Sequence, residues 1–300
     1  NSTQMLEEEC VPDRLVIIGG GVIGMEFATV YKDLGCQVTV LEAMDKILPG
    51  MDKEISQNLK MIMKKRGVDI HTGATVSSVE KMGDGTYLCR YTEKEKNCEA
   101  PAALILSAVG RRPLSRGLFS EDMQERIEME RGRVLVNERY ETSVPGIYAI
   151  GDLIGGVCLA HVAAAEGCQA ASAMFPELKG KDMTVIPSCV YTDPEIACAG
   201  LTADEAKAAG IDTATGKYIM SVNGKSVLSM QDRGFLKIVS EKETGRILGA
   251  QLMCARATDM IGELELAISK RLTAEDLAAV IMPHPTFCEG IGEAAESILM

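Results

Sequence analysis

A short apolar strand that runs straight into a glycine turn constrains this chain more than any other feature. Arg14-Leu15-Val16-Ile17-Ile18 is followed by Gly19-Gly20-Gly21-Val22-Ile23-Gly24, and the helical pattern of residues 22–34 begins inside that turn. A G-x-G-x-x-G alone is a weak pattern. Between a strand and a helix, with an acid closing the next strand, it is the signature of a dinucleotide-binding βαβ unit. Glu42 is that acid: it ends QVTVLE, 18 residues after Gly24 and 21 after Gly21. Gly19 would allow the tight turn, Gly21 the approach of a pyrophosphate to the helix N-terminus, and Gly24 the close packing of helix on strand. Glu42 would accept hydrogen bonds from the adenosine ribose. A 2′-phosphate there would meet a like charge, and LEAMDK offers no arginine, so NAD is expected rather than NADP. Glu26 either faces the cofactor or faces solvent.

The alternation continues. Ile55, Leu59, Ile62 and Met63 share a helical face in residues 52–66, with Gly67 at the stop position. VDIHTGATVSSVEK and GTYLCRYTEK are expected to be antiparallel strands around Gly83-Asp84-Gly85, and ALILSAVG a buried closing strand. The expected fold class is α/β: a connector (1–13), a Rossmann-like doubly wound NAD-binding domain (14–112), a less regular segment (113–183) and a C-terminal α+β domain (184–300). In the middle segment RVLVN and GIYAIG look like strands and HVAAAEGCQAASAMF like a closely packed helix. In the last domain SCVYTDPEIACAG, TGKYIMSV and GFLKIVSEKETGRILGAQLM look like strands and hairpins, and TDMIGELELAISKR like a helix. Thr202 and Thr273 open further helices as T-A-D-E and T-A-E-D, with capping-box spacing.

Composition excludes several classes. With 43 acidic and 31 basic residues the formal charge is −12, which argues against the basic surface that nucleic-acid binding needs. No run of eighteen apolar residues is present to span a membrane, and NSTQMLEEEC lacks the basic-then-apolar order of a signal peptide. The ten cysteines are scattered with no C-x-x-C; no metal site is expected. They are expected to be mostly small buried hydrophobes in a reducing, cytoplasmic setting.

GGGVIGMEFA, VTVLE, SAVGRRP, TSVPGIYAIGD, LAHVAAAEG, VYTDPE and HPTFCEG occur in an order that resembles the flavoprotein disulfide reductases. Within that family the chain is most similar to the members that reoxidise protein-bound dihydrolipoyl groups with NAD+. The resemblance implies FAD and NAD as cofactors, a redox-active cysteine pair, and a homodimer. It also implies lipoyl domains of 2-oxo acid dehydrogenase or glycine cleavage complexes as partners. It places NAD contacts at Gly19, Gly20, Gly21, Val22, Ile23, Gly24, Met25, Glu26, Glu42, Val76 and Gly110. It assigns Asp152 to the FAD ribityl chain and Cys158-Leu159-Ala160-His161 to the flavin pyrimidine end, where a helix N-terminus suits negative charge. Read locally, Asp152 is either a ligand or a loop cap, and His161 an ordinary helix-start residue.

The same resemblance makes His284 the base that takes a proton from a dithiol, with Glu289 holding its ring. Read locally, Glu289 is equally placed to cap the terminal helix from Thr286; one oxygen could do each job. Met282 stands where many members have another histidine, and Cys288 where a serine is common. The family's first domain carries its own G-x-G-x-x-G and a C-x-x-x-x-C pair. Neither is in these 300 residues, so the expectation is a truncated portion that does not turn over disulfides alone. A related glutathione or mercuric reductase and a non-catalytic NAD-binding dimer module are the alternatives.

Overall fold

The glycine turn sits where two parallel strands and a helix converge. In the computed structural model, which describes residues 1–300, a short helix α1 (Ser2–Leu6) precedes β1 (Arg14–Ile18), α2 (Val22–Asp33), β2 (Gln37–Glu42), α3 (Lys53–Lys65) and β3 (Asp69–Thr72). An antiparallel sheet of β4 (Ala74–Lys81), β5 (Tyr87–Glu93) and β6 (Lys96–Ala102) follows, and β7 (Leu104–Ser107) returns beside β1. The main sheet has the order β3-β2-β1-β7 and every neighbouring pair in it is parallel. Such a sheet must be covered on both faces, which is why β1 carries Leu15, Val16 and Ile17 in succession, all buried. α3 presents Ile55, Leu59, Ile62 and Met63 to the core, the face expected from their spacing. Gly35 and Gly67 follow α2 and α3 with φ +92° and +86°, where a side chain would be strained.

Two expectations need correction here. The stretch VDIHTGATVSSVEK is two strands, split at Gly73 (φ +68°). Its first half joins the parallel sheet and its second half the antiparallel one. The third strand of that sheet, β6, has no sequence signature.

The chain divides into two compact units. One joins residues 1–109 with 187–300, and the other is residues 110–186. The smaller unit contains α4 (Glu121–Gln124), β8 (Met129–Glu130), β9 (Arg133–Val134), a 3-10 turn Gly151–Leu153 and α5 (Ala160–Met174) around a small core of Ile127, Val134, Val144 and Ala149. RVLVN and GIYAIG form only a two-residue strand and isolated bridges, Val136 to Thr142 and Glu141 to Tyr148.

In the larger unit, β10 (Ser188–Val190), β11 (Ile196–Gly200), β12 (Thr213–Ile219), β13 (Phe235–Glu241) and β14 (Ile247–Met253) form an antiparallel sheet of order β10-β11-β14-β13-β12. Helices α6 (Ala203–Ala208), α7 (Gly224–Leu228), α8 (Ala257–Ser269), α9 (Ala274–Ala278) and α10 (Glu289–Leu299) complete it. α8 lies on β11 and β14, and α10 on β12 and β13. Both expected capping boxes are formed, Thr202 with Glu205 and Thr273 with Asp276. Val190, Ile196, Phe235 and Met253 of this sheet belong to the same buried cluster as Leu15, Met25, Leu59 and Met63. No helix is long and apolar enough to cross a membrane.

Candidate functional site

The glycine turn has the shape a pyrophosphate needs. A Cβ at Gly24 would run into the Gly19 carbonyl oxygen, so helix and turn can be this close only with glycine there. Gly19 has φ +108° and lies against the Ala108 backbone. A Cβ at Gly21 would meet nothing within 4 Å, and Gly21 caps α2 without a side-chain hydrogen bond. The first turn of this twelve-residue helix thus has no side-chain cap, an arrangement that suits an anion. Val22 is exposed, Ile23 partly so, beside that opening. Met25 is different: its side chain is fully buried and its amide is donated to Gly21, which removes it from a cofactor surface.

Glu42 closes β2 beside the turn and is itself buried. Its Oε2 accepts the Gly20 amide at 2.5 Å and its Oε1 the Met44 amide at 2.7 Å. Each oxygen keeps a further lone pair for a ribose hydroxyl. Val76, partly buried on β4, packs against the small cluster that includes Val16, Leu41 and Tyr91. Glu26, partly buried, accepts the Tyr191 amide with its Oε1 at 2.9 Å. Burial pushes the Glu26 carboxyl up, and that hydrogen bond partly opposes the shift. The turn, the uncapped helix and Glu42 together fit a dinucleotide.

In the smaller unit, Gly110 has φ +123° and is exposed. Asp152 lies in the 3-10 turn, and its Oδ2 receives Arg111 Nε at 3.0 Å and Nη2 at 2.9 Å. The turn is fixed by Glu166 of α5, whose buried Oε2 accepts the Gly151 amide at 2.6 Å. Sequence reasoning named neither Arg111 nor Glu166; their partners are 41 and 15 residues away. Cys158 is exposed, Leu159 is the N-cap of α5 without a side-chain cap, and Ala160 and His161 are exposed in its first turn. The uncapped fifteen-residue helix and the tethered carboxylate suit the hydroxyls and the electron-rich ring edge of a flavin.

The third group is His284 and Glu289. Glu289 Oε1 lies 2.6 Å from His284 Nδ1, while its Oε2 accepts the Thr286 amide at 2.7 Å. The carboxylate therefore holds the ring and satisfies an N–H ahead of α10 at once. The His284 bond, with the Thr286 amide second, holds the Glu289 carboxyl below its usual range. An ionised carboxylate only accepts, so Nδ1 carries the ring proton and Nε2 is left as the basic nitrogen. The His284 side chain is 75% exposed. Thr286 does not close the expected capping box: its hydroxyl donates to the Pro283 carbonyl, and Cys288 Sγ lies 3.1 Å from it. No two cysteines are five apart in sequence, and all ten carry free thiols.

Residues 1–167 match the family described as pyridine nucleotide-disulphide oxidoreductase, and residues 186–295 match its dimerisation domain. The chain belongs to the pyridine nucleotide-disulphide oxidoreductases. It is 43% identical over 299 residues to a dihydrolipoyl dehydrogenase of Bacillus subtilis and 40% identical over 299 residues to one of Geobacillus stearothermophilus. These alignments cover 99% and 100% of the chain, but the chain spans only 63% of either relative's length. Among solved structures it is similar to a HOCl-induced flavoprotein disulfide reductase from Escherichia coli, with a TM-score of 0.89, 26% identity, 97% of this chain and 66% of that one covered. It is also similar to LpdA from Mycobacterium tuberculosis, with a TM-score of 0.87, 29% identity, 99% of this chain and 64% of that one covered. Family membership agrees with the α/β architecture.

Proposed function

We propose that the protein carrying this chain is a dihydrolipoyl dehydrogenase, which oxidises a protein-bound dihydrolipoyl dithiol and delivers the electrons to NAD+. The observation that carries the reading is the His284–Glu289 pair, in which Nδ1 is tied down and Nε2 is open. Nε2 takes a proton from the dithiol, and the resulting thiolate attacks a redox disulfide. Glu289 stabilises the imidazolium formed in that step. The disulfide lies outside these 300 residues, which hold no C-x-x-x-x-C. FAD, when bound, supplies the two-electron relay between dithiol and nicotinamide. On this chain Asp152 would hold the ribityl hydroxyls, and the amides of residues 158–161 would support the pyrimidine end. The turn at Gly19–Gly24 would hold the NAD pyrophosphate, with Glu42 on the ribose, selecting against a 2′-phosphate.

The dimerisation domain supports a homodimer in which each subunit lends His284 to the other's disulfide. Lipoyl domains of 2-oxo acid dehydrogenase or glycine cleavage complexes are the partners, and the cytoplasm the compartment. The 300 residues by themselves are expected not to turn over lipoamide. The test is NADH-dependent lipoamide reduction by the full-length protein, set against NADPH-dependent reduction of glutathione disulfide and of mercuric ion. Preference for lipoamide with NADH is expected, with a loss of about 10²–10⁴-fold in His284→Gln. Preference for either other substrate would overturn it; lipoamide turnover by residues 1–300 with added FAD would overturn only the expectation that they are inactive alone.

A further inference from the structure

His284 sits on an exposed loop, yet its geometry is tight, and the loop's own residues do not explain why. Thr286 is the hinge of that loop. Its amide donates to Glu289 Oε2, and its carbonyl accepts Asn223 Nδ2 at 3.0 Å. Asn223 comes from another part of the fold, ahead of α7, and is only 1% exposed. Its Oδ1 accepts the Ser226 amide and the Ser226 hydroxyl, both at 2.9 Å. One amide side chain thus caps α7 with its oxygen and grips the His284 loop with its nitrogen. Gly224, the residue after Asn223, leaves room beside the ring: even a Cβ built there would be 4.0 Å from His284 Cε1. On the other side, Gly290 lets the first turn of α10 sit against Tyr218 and Leu236, which fixes where Glu289 starts.

We propose that Asn223 is the positioning residue of the His284 base, acting through a relay from Asn223 to the Thr286 carbonyl, across the Thr286 Cα to the Thr286 amide, to Glu289, to the imidazole. Losing the donated hydrogen bond frees the Thr286 carbonyl, lets the 286–287 peptide and the Thr286 Cα turn, and so shifts the Thr286 amide and draws the Glu289 carboxylate bound to it away from Nδ1. His284 then loses the partner that keeps its proton on Nδ1, and Nε2 ceases to be held in the basic form. The role in catalysis rests on the proposed base function of His284; the relay itself does not.

Asn223→Asp separates the two jobs of this residue, because it keeps the capping oxygen and replaces the donor by an acceptor facing the Thr286 carbonyl. The chain has three histidines, so ¹⁵N-histidine labelling and long-range ¹⁵N–¹H correlation at alkaline pH resolve the His284 tautomer directly. The parent should show His284 mainly as the Nδ1–H form. Asn223→Asp should move the tautomer ratio toward Nε2–H by about tenfold, the equivalent of one ordinary hydrogen bond. Asn223→Ser, which keeps a capping oxygen too short to reach Thr286, should shift it the same way and serves if the Asp variant does not fold. Thr202→Ala, which removes the cap of α6, is the control for general destabilisation and should leave the ratio alone. An unchanged ratio in the Asn223 variants, or an equal shift in Thr202→Ala, overturns the relay. In the full-length protein Asn223→Asp should lower kcat with lipoamide while leaving KM for NADH unchanged. If His284→Gln leaves turnover intact while the tautomer shifts as described, the base assignment fails and the relay stands.

Discussion

Replacing Glu42 by Gln changes one oxygen for an NH2 group and tests the glycine turn directly. Both Glu42 oxygens accept backbone amides, from Gly20 and from Met44, in a buried position. A glutamine can serve only one of them; its NH2 would face the other amide, donor against donor. A hydrogen bond to a charged group contributes about 1.5–3 kcal/mol, and that is the expected destabilisation. The larger unit joins residues 1–109 and 187–300, a size at which 1 kcal/mol moves Tm by about 2–4 °C, so Tm should fall by about 3–12 °C. The Gly20 amide belongs to the turn that would hold the pyrophosphate, and the same carboxylate is placed to meet the ribose. NADH affinity measured by calorimetry should therefore weaken by about tenfold to a hundredfold, one charge-assisted hydrogen bond expressed as a ratio. A variant that keeps the parent's Tm and NADH affinity would refute the assignment of Glu42 to both tasks.

Gly290→Ala places a Cβ 2.5 Å from Leu236 Cδ1 and 2.8 Å from Tyr218 Cδ1, so thermal unfolding should show about 1–3 kcal/mol of overpacking. A second prediction concerns His71, whose Nδ1 lies 2.8 Å from Glu93 and whose Nε2 lies 2.9 Å from Asp69. Burial alone would lower its imidazole, but the hydrogen bonds and charges of the two carboxylates outweigh it and the net shift is upward. A folded value above the unfolded one means that stabilisation is complete below about pH 6.5 and is lost as pH rises through the folded value. The stability gap between the parent and His71→Gln should therefore shrink as pH is raised from about 6 to 8; a gap that widens would reverse the assignment. Thiol labelling at neutral pH should modify Cys10 and Cys158, which are exposed, and spare Cys198 and Cys254, whose thiols burial pushes up to about 12. Mass spectrometry of the labelled peptides checks it, and rapid modification of Cys254 in the folded protein would contradict it.

Local order is what the sequence made legible. The buried face of α3 and the two capping boxes depend on residues within a few turns of one another, and the glycine turn and Glu42, 22 residues from Gly20, on a fixed motif spacing. β6 escaped because Asn97, Glu99 and Pro101 do not look like a strand. It lies at the edge of its sheet, where a proline without an N–H is tolerated. Glu26 could not be placed because its partner, Tyr191, is 165 residues away. Glu289 was legible as two competing roles; it holds the His284 ring, while its other oxygen accepts the Thr286 amide ahead of α10 instead of capping the helix. The relay through Asn223 was invisible for the same reason as Glu26: it joins positions 63 residues apart.

The separation of an NAD-binding domain from an interface domain is a division of sequence that the core does not respect. Phe235 and Met253 of the interface sheet share one buried cluster with Leu15, Leu59 and Met63. The charges agree: Lys237, itself buried on β13, pairs with Asp52 at 2.8 Å at the start of α3, and Lys217 pairs with Glu54. The Lys217 and Lys237 ammonium groups lie 4.6 and 5.7 Å from the centre of the Phe235 ring. Removing one partner of a buried ion pair leaves a charge stranded, so a substitution at Asp52 or Lys237 alone should be more destabilising than one in an exposed pair. Phe235 is only 3% exposed, and Phe235→Ala should cost about 3–5 kcal/mol. A shared core distributes that loss: hydrogen exchange should accelerate in α3 around Leu59 and Met63 as well as in β13. If exchange in α3 is unchanged while β13 accelerates, the two parts unfold independently, and the glycine turn and the His284–Glu289 pair are not held in one framework.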